Sequence, residues 1–251
     1  MSQNLQGKVA IVTGGSKGIG ASIVKELSRR GAKVVINCSS SEDLASALAS
    51  SIKEQGGEAI TVQANIGSVE GPKKVVDAAI TAYGKIDIVV NNAAAMQLRP
   101  VTAMQVEDIK DQCNLGIRGP LLLVKESAAY LQEHGRIINI SSIVARCGIP
   151  HSSVFAATKG ALESMSRVWA SEFADKNITS NCVSPGPTAT EKAAHLIGEQ
   201  KAKLQSIVEQ NLFKRRATME EIATVVAFLA GPDSQWVTGD VIQANGGHIY
   251  N

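Results

Sequence analysis

Apolar and polar positions along the chain repeat in the order strand, turn, helix. Lys8-Val-Ala-Ile-Val-Thr13 is an apolar run rich in β-branched residues, and Gly14-Gly-Ser-Lys-Gly-Ile-Gly20 follows it as a glycine-rich turn. Over residues 21–30, Ile23, Val24 and Leu27 recur at helical spacing until Gly31 stops the run. Further strands are expected at 33–37, 58–62, 86–90, 136–142, 178–183 and 240–243. Helices are expected at 42–55, 72–83, 104–131, 154–173, 190–210 and 219–229, with Gly116, Gly119 and Pro120 disturbing the third. Strands that are continuous apolar runs belong to a parallel sheet covered on both faces. The pattern predicts one α/β domain over residues 1–251, a Rossmann-type doubly wound parallel sheet with helices on both faces. A polar helical segment at about 190–212 is expected to act as a lid over a site.

Composition narrows the function. Hydrophobic content is 44% and charged content 19%, as in an ordinary globular protein, and the net charge of +2 gives no reason to expect nucleic acid as a partner. No stretch is apolar enough for a membrane span and the N-terminus is polar, so a cytoplasmic protein is expected. Cys38, Cys113, Cys147 and Cys182 form no Cys-x-x-Cys pair, and the four histidines make no ligand pair. No metal is expected.

The glycine turn carries the first chemistry. Gly14, Gly18 and Gly20 between a strand and a helix let the backbone approach a pyrophosphate, and the helix start directs free N–H groups at it. A carboxylate ending the second strand would select NAD through its ribose hydroxyls. The chain has Asn37-Cys-Ser39-Ser40-Ser41 there, with Lys17 in the loop to supply positive charge, which favours NADP(H). The alternative is that these serines merely form a loop and a helix cap. A second candidate site is Ser142, at the end of an apolar strand, with Phe155 and Lys159 one helical turn apart on one face.

These motifs, in order, closely resemble the short-chain dehydrogenase/reductase family from about Lys8 to Tyr250. Thr13-Gly-Gly-Ser-Lys-Gly-Ile-Gly20 resembles its cofactor loop, Asn91-Asn-Ala-Ala94 its Asn-Asn-Ala-Gly element, and Pro185-Gly-Pro-Thr-Ala-Thr190 its nicotinamide run. The Trp236-Val-Thr-Gly ending looks most like the ketoreductases of polycyclic phenols and polyketide ketones. The resemblance implies cofactor contacts from Gly14, Ser16, Lys17, Gly18, Ile19, Gly20, Asn37 and Ser39 to Ser41. It adds Asn65 and Ile66 beside the adenine, Asn91 and Ala93, Lys159, and Pro185, Gly186, Thr188 and Thr190. It further implies a homotetramer and a catalytic set in which Ser142 orients a ketone and Asn114 supports water to Lys159. Phe155 stands where the family keeps a proton-donating Tyr.

That departure leaves two readings open. The chain is an NADPH-dependent ketone reductase whose Tyr has been replaced and whose turnover is impaired. Alternatively, it is a natural member without the Tyr, acting as an isomerase, a cyclase or a cofactor-binding regulatory protein. A third reading makes Phe155 plain core and Ser142 a cap. Candidate pocket residues are Met96, Ile143, Val144, Cys147 and Trp169, with His195, Leu196 and Ile197 on the lid.

Overall fold

The structure is a computed structural model that describes residues 4–195 and 198–250. Its strands are β1 (Val9–Val12), β2 (Lys33–Cys38), β3 (Ala59–Gln63), β4 (Ile86–Asn91), β5 (Leu131–Ile140), β6 (Thr179–Pro185) and β7 (Val241–Ala244). They form one sheet of order β3-β2-β1-β4-β5-β6-β7 in which every pairing is parallel.

Alternate side chains of these strands feed two apolar layers. Val12, Ile36, Val90 and Ile138 pack against α1 (Gly18–Arg29), α2 (Glu42–Glu54) and α9 (Met219–Ala230). Ile11, Val35, Val89 and Ile137 pack against α3 (Gly71–Tyr83), α5 (Gly119–Ser127) and α6 (Ser153–Glu172). Both faces are buried, which is why the strands read as unbroken apolar runs rather than alternating ones. The expected doubly wound parallel sheet is the fold observed.

Two expected helices differ from the structure. The 104–131 segment is divided into α4 (Val106–Cys113), a π-helical turn at Asn114–Arg118, and α5, while Leu131 already belongs to β5. Close packing explains the break. A Cβ on Gly116 would lie 2.8 Å from the Thr158 Cβ of α6, and one on Gly119 would lie 2.7 Å from the Ile66 side chain. Pro120 then starts α5 where its missing N–H is harmless. The 190–210 segment is likewise two helices, α7 (Glu191–Ala194) and α8 (Gly198–Gln210). The lid candidates Leu196 and Ile197 between them lie outside the described residues.

Candidate active site

β1 and β4 are neighbours in the sheet, yet the chain leaves them in opposite directions, β1 toward β2 and β4 toward β5. Such a point opens a crevice beyond the strand ends. Thr13 and Asn92 hold it together. The Thr13 hydroxyl accepts the amides of Asn92 (2.9 Å) and Ala93 (3.0 Å) and donates to the Val90 carbonyl (3.3 Å). The Asn92 side-chain amide donates back to the carbonyls of Thr13 (2.8 Å) and Gly14 (3.1 Å). Gly14 and Gly18 adopt φ of 60° and 57°, which glycine does at least cost. Any Cβ on Gly20 would collide with the Gly14 carbonyl. Three glycines therefore serve one tight approach of loop, helix and strand.

The helix entered from this loop is open at its start. Lys17 is the N-cap of α1, with no side-chain cap bond and no acidic residue in the first turn. The leading amides and the dipole of α1 are thus available to an anion, and Lys17 is exposed beside them. Ser16 and Ile19 are half-buried in the same loop. Asn37 departs from its expected role as a cofactor contact. Only 1% exposed, it accepts the Gly14 amide and donates to the carbonyls of Val62 (3.2 Å) and Ala64 (2.9 Å). It braces the glycine loop against β2 and β3 from inside. Ser39 and Ser40 follow at the surface, and Ser41 precedes α2 without a side-chain cap bond, so capping does not occupy its hydroxyl.

The remaining expected cofactor residues line up at the ends of the other strands. Asn65 is exposed and its side-chain oxygen accepts the Gly67 amide at 2.9 Å, while Ile66 is buried under Gly119. Asn91 donates to the Asn139 side chain at 2.8 Å, and its own oxygen is buried without a partner among the described residues. Pro185 ends β6, and Gly186 passes so close to Asn245 that a Cβ would sit 3.0 Å from its Cα. Thr188 donates to the Gly186 carbonyl, and the Thr190 hydroxyl caps α7 by accepting the Ala193 amide. The exposed and half-buried positions among them lie at the ends of β1 to β4 and β6, and Asn37, Ile66 and Asn91 support them from inside. They fit a dinucleotide.

Beyond the crevice lie the residues expected to form the catalytic set. Lys159 is 4% exposed, and its amine donates to the Ile140 carbonyl at 2.6 Å. Desolvation lowers its pKa from 10.5 to about 8. The nearby Cys182 thiol, pushed up to about 12 mainly by burial, is neutral at neutral pH and supplies no counter-charge there. The Phe155 ring centroid is 5.5 Å from the Lys159 amine, within cation–π range. Phe155 packs with Ile143 and Val144, and Cys147, Ile149, Ala156, Ile207 and Ile249 close around them. The third expectation, of Ser142 as a cap, holds in part. Its hydroxyl oxygen accepts the Val144 amide at 3.3 Å, which leaves the hydroxyl hydrogen available.

Several sequence expectations shift here. Asn114 opens the π-helical turn, but Gly116 is where that turn meets α6, at Thr158 next to Lys159. Trp169 belongs to the apolar layer under α3 and α5, apart from the Phe155 cluster, and Met96 is 42% exposed. Sequence reasoning missed Ile207 of α8 and Ile249 near the C-terminus, because nothing local to either marks contact with residue 155. Their contacts bring α8 and the segment around Ile249 onto Phe155.

The chain matches the family model described as Enoyl-(Acyl carrier protein) reductase over residues 14–248. An uncharacterized oxidoreductase of Methylorubrum extorquens is 41% identical over 244 residues, 97% of this chain and 98% of that protein. The tetrahydroxynaphthalene reductase of Pyricularia oryzae is 34% identical, covering 98% of this chain and 91% of that one. Among solved structures, the angucycline C-6 ketoreductase LanV with bound NADP superposes with a TM-score of 0.93 at 33% identity, covering 99% and 98% of the two chains.

The buried amine makes stability depend on pH. Because the folded pKa of Lys159 lies below 10.5, the folded state gains over the unfolded state as pH rises through the window from about 8 to 10.5. The unaltered chain should gain up to about 3 kcal/mol relative to Lys159→Met across that window, with no change below it. Urea unfolding of both chains below, within and above the window measures this. A difference that stays constant or shrinks would show that Lys159 is not desolvated.

Proposed function

The chain belongs to the short-chain dehydrogenase/reductase family, and from that premise we propose that it is an NADPH-dependent ketone reductase whose proton-donor position is filled by Phe155. The observation that carries this reading is the survival of the centre around that residue. Ser142 keeps a free hydroxyl hydrogen, and Lys159 keeps its buried amine one turn from residue 155. A helix face that had become plain core would be free to replace a buried lysine, whose desolvation opposes folding.

The cofactor would be held by the glycine loop and the α1 N-terminus, with Lys17 and Ser39 to Ser41 at the 2′-phosphate. Lys159 and the run from Pro185 to Thr190 would hold its nicotinamide end. The NADP of the LanV structure supports this choice. When bound, NADPH supplies the hydride. Ser142 donates its hydrogen to the ketone oxygen and fixes its direction. A Tyr at 155 would complete the proton transfer, with the Lys159 charge lowering its pKa. Phe155 has no proton to give, and a missing general acid typically costs ~10²–10⁴-fold.

For substrate, the apolar cluster of Ile143, Val144, Phe155, Ile207 and Ile249 beside Lys159 supports an apolar ketone such as a polycyclic phenol or polyketide ketone. The naphthol reductase relative supports the same class. A second reading draws on the same cluster. The Phe155 ring is itself a packed member of the cluster, as expected of a natural Tyr-less protein with a non-redox or regulatory role. Exposed Val106, Ile109, Leu121 and Val168 on α4, α5 and α6, and the open space beside Gly160, support a homotetramer joined through those helices.

Phe155→Tyr decides between the readings. It should raise NADPH oxidation with quinones, naphthols or β-keto esters by ~10²–10⁴-fold, followed by loss of NADPH absorbance. No gain on any ketone would favour the Tyr-less role. Separate titrations should show tighter binding of NADPH than NADH; the reverse order would overturn the assignment of Ser39 to Ser41. Light scattering should give the mass of four chains, and a monomer mass would remove the helix-mediated assembly.

A further inference from the structure

Glu163 is a buried ionisable group for which the proposed reaction has no use. It lies on α6, one turn beyond Lys159 and two beyond Phe155 on the same side of the helix, and is 5% exposed. One carboxylate oxygen accepts the Ser141 hydroxyl at 2.7 Å, and the other accepts the Arg146 guanidinium Nε–H at 3.2 Å. Ser141 follows the last residue of β5, and Arg146 ends the 3-10 turn Ile143–Ala145. The two therefore bracket the turn that carries Ser142. The Ser141 amide also donates to the Val183 carbonyl of β6, so the entry to the turn is fastened on two sides.

A buried carboxylate is an expensive way to fill space. An apolar side chain of similar volume generally stabilises a fold as well or better, so a buried ion pair is weak evidence for stability and better evidence for a role in position. Position is what this arrangement defines. Phe155 and Lys159 ride on α6, whereas Ser142 rides on a separate short turn, and the Glu163 carboxylate ties that turn to the helix at both ends.

We propose that Glu163 is a positioning residue that clamps the Ser142 turn to α6 and so sets the Ser142 hydroxyl against Lys159 and residue 155. What the turn is for rests on the reductase reading; the clamp itself does not.

The test compares the unaltered chain with Glu163→Gln, which keeps the shape but presents an amide N–H to one of its two donors. Hydrogen exchange across residues 142–147 should speed up roughly tenfold or more, with residues 9–20 unchanged. In the Phe155→Tyr background, the same change should lower kcat by about ten- to 10²-fold and leave the KM for NADPH unaltered. Unchanged exchange at 142–147, equal acceleration in both segments, or local acceleration with unaltered kcat would each overturn the proposal. If Phe155→Tyr shows no turnover, the reductase reading fails and the exchange measurement alone decides the clamp. Should Glu163→Gln not fold, Glu163→Asp, too short to reach both ends, and Ser141→Ala are measured in the same way and judged by the same outcomes.

Discussion

The close approach of the glycine loop to the ends of β1 and β4 is the constraint on which the rest of the molecule depends. Gly20 sits so near the Gly14 carbonyl that no side chain fits between them, and Thr13, Asn92 and Asn37 hold that geometry with partly buried hydrogen bonds. Each of these polar groups is satisfied by backbone, as burial requires. The result is a crevice whose floor is rigid and whose helix terminus stays open to an anion. The parallel sheet matters to function mainly because its switch of direction places this crevice beside the ends of β4, β5 and β6.

The candidate site around Phe155 depends on a second constraint, the burial of Lys159. An ammonium group with one carbonyl acceptor and an aromatic neighbour is poorly compensated, and its pKa falls accordingly. A hydroxyl at position 155 would offer that amine a further polar partner, and a phenyl ring offers only its face. In our proposal, the identity of residue 155 therefore bears on the electrostatics around Lys159 as well as on the supply of a proton. Glu163 lies on the same helix but is engaged by Ser141 and Arg146, and in our proposal it governs the placement of Ser142.

The parallel sheet covered on both faces and the glycine loop were legible because each rests on local spacing, whereas the strand order came only from the folded chain. A run such as Val9 to Val12 is buried on both faces wherever it pairs, and Gly14, Gly18 and Gly20 announce a tight turn by their positions alone. A disturbance at Gly116, Gly119 and Pro120 was legible, but the π-helical turn at Asn114 to Arg118 and its cause were not. Gly116 and Gly119 are glycines because Thr158 and Ile66 press against them, and both of those partners are distant in the chain. Asn37 misled for the same reason. At the end of a strand it looked like a ligand contact, and only the folded chain shows its amide turned inward onto the carbonyls of Val62 and Ala64.

By itself, the sequence determined the α/β class, the presence of a dinucleotide loop and the serine-rich end of β2, and it pointed to Ser142, Phe155 and Lys159 as a candidate site. These follow from periodicity, from the conformational freedom of glycine and from residue chemistry at fixed spacing. Tertiary structure decided which polar groups face the crevice and which brace it. It also brought Ile207 and Ile249 onto residue 155 and joined Glu163 to both ends of the Ser142 turn. Those contacts join residues from 17 to about 100 positions apart, and hydrogen bonds and packing across such gaps exist only once the layers have closed.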